Sequence, residues 1–343
     1  MHKVSTLITG GAGHLGNALV RELLNQGEKV RVLILPGEKT VSLEGLDVEK
    51  VEGNILDLES LKRAMDGIHR VFHMAGLVGI TKDKTDLMRR VNVGGTANVI
   101  QVAREAGVER MIYTSTVHAL KASDDGGPTD ESLGFNTENP HGDYDRTKAE
   151  ASVLVQQAAK DGMDTVITCP TGVIGPYDFN RSELGGFILS WMKKSLPLSI
   201  NGQYDFVDVR DVAIGHRLAA DKGRKGEAYL LTGHQLTITR FRELVHKAAG
   251  FRLPLFTVPN WLAGAATPLA EVYYRLTKTR PRFTSYALYT LQGNSVFSSG
   301  KALKELGYSP RPIEETMRDT VAWWRENSLR TQEGLRTDGL KGN

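Results

Sequence analysis

The sequence predicts an α/β fold, a doubly wound parallel sheet with a smaller C-terminal domain, and three observations lead to it. Short apolar runs alternate with longer amphipathic segments through the first half of the 343 residues. Several runs are Val, Ile and Leu with little alternation, as expected of strands covered on both faces. The regular alternation stops after Pro170, where prolines and glycines punctuate a different pattern.

The first run, Val4 to Thr9, leads straight into glycines and then into a helical pattern over Leu15 to Asn25. Strands are expected at Val30 to Leu35, Val48 to Glu52, Val71 to Met74, Met111 to Ser115 and Thr165 to Thr168. Helices are expected between them at Leu58 to Met65, Val93 to Glu105 and Tyr144 to Ala159. Strand-helix-strand repetition implies parallel pairing with helices on both faces. Farther on, Phe206 to Val209 and Ala228 to Leu231 read as strands. Ile238 to Ala249, Trp261 to Leu276 and Ile313 to Glu326 read as helices, the first capped by Thr237 and the second bent at Pro268. The expected division is a first domain over 1–170, with 205–232 returning to it, a second mainly over 171–327, and a loose polar tail over 328–343.

Composition narrows the function. Hydrophobic residues make up 40% and charged residues 24%, which excludes a disordered or collagen-like chain. A net charge of +3 is too weak to imply a nucleic-acid partner. Cys169, the single cysteine, permits no internal disulfide and no cysteine-based zinc site, and no metal is expected. The N-terminus lacks a secretory pattern, so a cytoplasmic location is expected. Phe256 to Leu269 is the most apolar stretch of the C-terminal half, and Pro259, Asn260 and Pro268 interrupt it well short of a membrane span.

Thr9-Gly10-Gly11-Ala12-Gly13-His14-Leu15-Gly16 follows a strand and opens a helix. A dinucleotide pyrophosphate needs backbone N–H groups at such a helix start with no Cβ in the way. Gly10 suits the tight turn, Gly13 the close approach and Gly16 the helix-on-strand packing, while His14 and Leu15 offer backbone rather than side chain. The end of the second strand separates NAD from NADP by an acidic or a basic residue. Here Leu35-Pro36-Gly37-Glu38-Lys39 is equivocal, Glu38 favouring NAD and Lys39 favouring NADP. Tyr144 and Lys148 stand at i and i+4, hence on one helix face. Hydride transfer to or from a carbinol carbon requires a concurrent proton transfer at its oxygen. A tyrosine beside a lysine cation, with a nearby hydroxyl from Thr114-Ser115-Thr116, supplies that chemistry, the cation favouring tyrosinate.

The GxxGxxG spacing, followed in order by the Thr-Ser-Thr string and Tyr-x-x-x-Lys, resembles the short-chain dehydrogenase/reductase superfamily. The resemblance implies a Rossmann-type sheet, NAD or NADP as cofactor and a small-molecule substrate. It also implies Thr116, Tyr144 and Lys148 as catalytic, with Ser115 as fallback. The family's adenine-binding turn is matched by Gly53-Asn54-Ile55, with Asn54 in place of the usual Asp, and its next cofactor contact by His73-Met74-Ala75-Gly76. Asn92 matches a position that braces the helix near the site. Cys169 reads as a buried thiol.

Pro170-Thr171-Gly172-Val173-Ile174-Gly175-Pro176 and Phe206-Val207-Asp208-Val209-Arg210-Asp211-Val212-Ala213 resemble signatures of the extended branch, the first placing Pro170 and Val173 beside the nicotinamide. That branch holds both reductases similar to dihydroflavonol reductase and 3β-hydroxysteroid dehydrogenase, and sugar-nucleotide epimerases and dehydratases. Asn180 and Arg181 would suit a phosphate, whereas Thr257 to Ala263 with Tyr273 and Tyr274 would suit an apolar pocket. The segment Ser299 to Tyr308 with Pro310-Arg311-Pro312 looks more like the reductases. The resemblance also implies a homodimer formed through the helices Val93 to Glu105 and Tyr144 to Ala159.

Overall fold

Strands and helices alternate along the chain in the computed structural model, which describes residues 5–79, 85–123, 126–140, 142–193, 197–259, 291 and 295–336. The strands are β1 (Thr6–Thr9), β2 (Val30–Ile34), β3 (Val48–Glu52), β4 (Arg70–His73), β5 (Arg110–Thr114), β6 (Thr165–Pro170), β7 (Gly172–Ile174), β8 (Leu198–Ile200), β9 (Gln203–Asp208), β10 (Ala228–Leu231), β11 (His234–Thr237) and β12 (Phe256–Val258). The helices are α1 (His14–Asn25), α2 (Leu58–Met65), α3 (Thr85–Arg89), α4 (Gly95–Glu105), α5 (Asp143–Lys160), α6 (Glu183–Trp191), α7 (Val209–Lys222), α8 (Ile238–Ala248), α9 (Gly300–Leu306) and α10 (Ile313–Arg336). A π-helical turn, Arg90–Gly94, joins α3 to α4.

Two compact units result. The first comprises Met1–Thr171, Val209–Thr232 and Phe297–Pro310, and the second Gly172–Asp208, Gly233–Val296 and Arg311–Asn343. The first unit is built on one seven-stranded sheet in the order β10-β6-β5-β4-β1-β2-β3, parallel throughout. Leu7, Val71, Met111 and Ile167 on its strands pack with Leu61, Val99, Val102 and Val155 from α2, α4 and α5 into one core. On the other face α1 packs on α7, with Arg217 donating to Glu22 at 2.7 Å. Because β2 lies on one side of β1 and β4 on the other, the connections leave β1 and β4 in opposite directions and open a crevice at their carboxyl ends, where open α/β sheets bind ligands.

The edge strand β10 is closed by side chains. Lys301 Nζ donates to the Ala228 carbonyl at 2.8 Å, the Leu230 N–H donates to Glu131 at 2.5 Å, and the Tyr308 hydroxyl donates to the Thr232 carbonyl at 2.8 Å. Alternate residues of an edge strand aim their backbone outward, so these bonds occupy the row on which another strand would pair. Lys301 and Tyr308 belong to the Phe297–Pro310 return, which therefore packs with the first unit and not, as the sequence suggested, with the substrate region. His216 of α7 pins β5 to β6. Its Nδ1 bonds the Val212 carbonyl at 2.8 Å, which must be an N–H donation, so Nε2 carries the one lone pair, with the hydroxyls of Thr114 and Thr168 each 2.8 Å from it.

In the second unit β9 pairs antiparallel with β11 and parallel with β7, and β8 pairs with β12. Phe206 stacks on Phe241 at 4.2 Å between ring centroids, with Trp191 edge-on to Phe241, which seats α8 on this sheet. Two expectations are corrected. The helix expected to end at Glu326 continues through Arg336, because residues 327–333 include no Gly or Pro to stop it there. The helix expected from Val93 instead emerges from the π turn. The segment Trp261 to Leu276 lies outside the described residues.

Burial lowers the pKa of three histidines in the first unit, His73 to about 3 and His118 and His216 to about 4. Each is neutral when folded but has an ordinary pKa near 6.5 once unfolded. Their contribution to stability is therefore complete above pH 6.5 and is lost as pH falls toward 4. Denaturant unfolding at pH 5 is expected to take up about three protons from these groups, readable from the pH dependence of the unfolding free energy.

Candidate active site

The glycine loop crosses the head of the crevice. Gly10 has φ 73°, and a Cβ there would lie 2.8 Å from the Ala75 nitrogen, so no other residue fits between β1 and the exit of β4. A Cβ on Gly16 would lie 2.1 Å from the Gly10 carbonyl oxygen. Gly13 is the residue before α1 and has no side chain to cap it, and no acidic side chain occupies the first turn. The amide-bearing start of α1, at His14 and Leu15, thus faces the crevice end of the sheet without a built-in anion, and the loop fits a dinucleotide pyrophosphate. Below it, Ser42 Oγ donates to the Ala12 carbonyl at 2.8 Å and fixes the loop from the far side.

At the end of β2 the Glu38 side chain turns back, and its carboxylate accepts the Leu35 N–H at 2.9 Å. Leu35 itself is 48% exposed. In the next turn Asn54 Oδ1 accepts the Leu56 N–H at 2.9 Å, which fixes the amide and leaves Nδ2 as the donor for an adenine edge. Ile55 is buried; its side chain packs against Gly95 and its carbonyl accepts from Asn98 Nδ2 at 3.0 Å, tying this turn to α4. The Ala75 N–H donates to Thr9 Oγ1 at 3.2 Å, and Gly76 follows as an exposed residue.

Thr116, Tyr144 and Lys148 come together at the same carboxyl edge. The Thr116 side chain stands by the Tyr144 hydroxyl and favours its ionised form. Thr116 also accepts the His118 N–H at 3.3 Å, which fixes the hydroxyl at the head of a short 3₁₀ turn. Ser115, one residue earlier, points the other way, as alternation along a strand requires. Its Oγ bonds Ser152 Oγ at 2.7 Å, so it is a packing group of the sheet and not the hydroxyl beside Tyr144. Cys169 is buried, and burial pushes its thiol up to about 12, which makes it unreactive.

The electrostatics differ from the sequence-based picture. Tyr144 has its pKa raised above the ordinary value, first by burial and then by the neighbouring Asp145 carboxylate, and only the Thr116 side chain lowers it. Lys148 does not act on it as a bonded cation. Its Nζ donates to the Thr114 carbonyl at 2.5 Å and lies 4.3 Å from the centre of the Tyr113 ring. Burial brings the Lys148 pKa down to about 7. Asp145, buried beside Tyr144, went unremarked in the sequence because the pattern names only the first and fifth residues of its stretch.

Asn92, on the π turn, clamps the backbone past Gly76. Its Oδ1 accepts the Leu77 N–H at 2.7 Å, and its Nδ2 donates to the Leu77 carbonyl at 3.0 Å and to Thr147 Oγ1 at 3.1 Å. Pro170 ends β6 in the first unit, whereas Val173 lies on β7 of the second, paired with Val207. Asn180 and Arg181 sit in the loop before α6, where Tyr177 and Arg181 have φ of 70° and 52° and the buried Asp178 accepts from Ser182. Thr257 and Val258 lie on β12, while Tyr273 and Tyr274 fall outside the described residues. Among the described residues no cluster of His, Cys, Asp or Glu converges as a metal site, and no helix is long and apolar enough to cross a membrane.

Fold and site together define an NAD(P)-dependent enzyme of the extended short-chain dehydrogenase/reductase type. The model of the NAD dependent epimerase/dehydratase family matches residues 6–232, and the chain belongs to that family. It is 34% identical to sterol demethylase protein B of Methylococcus capsulatus over 95% of this chain and 100% of that protein. It is 32% identical to a 4-hydroxy-2-methyl-3-oxo-4-farnesyl-3,4-dihydroquinoline-1-oxide ketoreductase of Stigmatella aurantiaca, over 92% and 95% of the two chains. Among solved structures, gox2253 superposes with a TM-score of 0.82 at 32% identity, over 95% of this chain and 99% of that one. The dTDP-glucose 4,6-dehydratase DesIV of Streptomyces venezuelae, solved with NAD bound, shares the fold with a TM-score of 0.74 at 23% identity, over 94% and 97%.

Holding Lys148 in this site costs stability. With a folded pKa near 7 against 10.5 unfolded, the penalty for its charge is full below pH 7 and fades as pH rises toward 10.5. Lys148→Met is expected to raise the melting temperature of the cofactor-free protein below pH 7 by about 2 °C or more. The gain should shrink toward pH 10, as thermal melts of both proteins across that range would record.

Proposed function

We propose that this enzyme transfers a hydride between a nicotinamide cofactor and the carbon of a carbonyl or secondary alcohol on a medium-sized substrate. The observation that carries the proposal is the placing of the Thr116 side chain by the Tyr144 hydroxyl, with Lys148 one helical turn along α5, at the sheet edge that bears the glycine loop. The cofactor, when bound, supplies or accepts the hydride at its nicotinamide C4. Thr116 holds the substrate oxygen, and Tyr144 gives it a proton in reduction or takes one in oxidation. Lys148 would hold the nicotinamide ribose. Burial and Asp145 keep Tyr144 a neutral phenol, the form that gives up a proton in carbonyl reduction.

Gly10, Gly13, Gly16 and the start of α1 would hold the pyrophosphate, Asn54 Nδ2 the adenine, and the backbone of Ala75 and Gly76 the ribose beyond it. The Glu38 carboxylate at the end of β2 supports NAD over NADP, since it can accept from ribose hydroxyls and repels a 2′-phosphate. The second unit, reached from Pro170 through Val173, is assigned substrate recognition. The named substrate of the Stigmatella relative, a farnesylated quinoline ketone, supports an apolar ligand. Outward residues of α4 and α5, among them Ala97, Ile100, Leu154 and Val153, support a homodimer through these helices.

A second reading, a sugar-nucleotide epimerase or dehydratase, has the broader support among the comparisons. The family description and the DesIV structure both point to it, and the residues around Tyr144 serve it equally. In that chemistry the cofactor is oxidised and reduced again within one turnover, so it stays bound. Mass spectrometry of the nucleotide released from freshly purified protein separates the two. Stoichiometric NAD supports the epimerase class, and an empty site with micromolar affinity for NADH supports the reductase. In either class Tyr144→Phe is expected to lower kcat by about 10²- to 10⁴-fold while NADH affinity stays within about twofold, measured by titrating protein fluorescence. Undiminished turnover would remove Tyr144 from the mechanism.

A further inference from the structure

A buried hydrogen-bond chain behind the crevice has a single direction. The Thr96 hydroxyl is 2.6 Å from the Asn92 carbonyl oxygen and, a carbonyl having no proton, must donate to it. The contact of 3.0 Å between Thr96 Oγ1 and His73 Nε2 is therefore a donation from Nε2–H. A neutral imidazole then carries its lone pair on Nδ1, which accepts the Thr9 hydroxyl at 2.8 Å, and Thr9 Oγ1 in turn accepts the Ala75 N–H at 3.2 Å. At the other end Asn92 holds both backbone groups of Leu77 and donates to Thr147, whose hydroxyl donates to the Tyr144 carbonyl at 3.0 Å. Every member of the chain from Thr9 to Thr96 is buried.

We propose that His73 is a positioning residue of the reaction. Held as the Nε2–H tautomer between Thr9 and Thr96, it locks the cofactor-facing backbone at Ala75 and Leu77 to the helix that carries Tyr144. Asn92 continues this link to α5. The inference rests on the proposed cofactor site. Burial first, and then the Lys148 cation, oppose a positive charge on it, and the Tyr113 ring lies 5.6 Å from the imidazole.

Two measurements test the proposal. In the cofactor-free protein, ¹⁵N spectra of labelled histidine should show one side chain that stays a neutral Nε2–H tautomer from pH 8 to pH 5 and disappears in His73→Asn. Finding the Nδ1–H tautomer, or titration near 6.5, would overturn it. The second compares NADH affinity among wild type, Thr96→Val and Thr96→Ser, each checked for an intact melting transition. Thr96→Val, which keeps the shape and removes the hydroxyl, should weaken NADH binding about tenfold, and Thr96→Ser should restore it to within about twofold. Equal affinities in all three would sink the coupling. Failure of the wild-type protein to bind either NADH or NADPH would instead reject the cofactor reading itself, while the tautomer measurement would still judge the hydrogen-bond chain.

Discussion

The approach of the Gly10 backbone to the Met74–Ala75 peptide is the constraint on which the first unit depends. A Cβ on Gly10 would stand 2.8 to 3.0 Å from three backbone atoms of that segment, so the loop closes only with glycine there. That closure brings the end of β1 against the end of β4 and aims α1 at the crevice between them. It also puts the Thr9 hydroxyl within reach of His73 and the Ala75 amide. A tight turn, a helix start without an internal anion and a buried hydrogen-bond chain thus share one origin.

Desolvation sets the chemistry of the groups around this turn. The imidazoles of His73 and His216 sit in water-excluded surroundings where only the neutral form is tolerated, and each is given a single tautomer by bonds to a carbonyl or to a hydroxyl already committed to one. The two tautomers are opposite, Nε2–H in His73 and Nδ1–H in His216, because the obligatory acceptor lies on opposite sides of the ring. Lys148 and Tyr144 share the same burial, which lowers one pKa and raises the other, so both rest closer to neutrality than exposed residues would. A neutral phenol beside a lysine that titrates near 7 is suited to handing protons to a substrate oxygen.

The parallel sheet was legible from the run of Val, Ile and Leu segments, since strands buried on both faces leave that mark, and the glycine loop from spacing alone. The Tyr144 and Lys148 pair was legible because i and i+4 share a helix face. Thr116 could be preferred to Ser115 only by resemblance; the structure separates them through strand alternation, which sends Ser115 to Ser152 and Thr116 to Tyr144. Glu38 was ambiguous as text, and its turn back onto the Leu35 amide is a matter of loop geometry. The edge closure of β10 joins Glu131, Lys301 and Tyr308 across gaps of up to 99 residues, which no local pattern records.

What the sequence determined by itself is whatever depends on near neighbours: strand and helix identity, the glycine turn, the helix face that pairs Tyr144 with Lys148. The tertiary structure alone decided the protonation states, the direction of the hydrogen-bond chains and the packing of Phe297–Pro310 against the first unit. Burial and hydrogen-bond direction are sums over groups distant along the chain, and only folding brings those groups into contact.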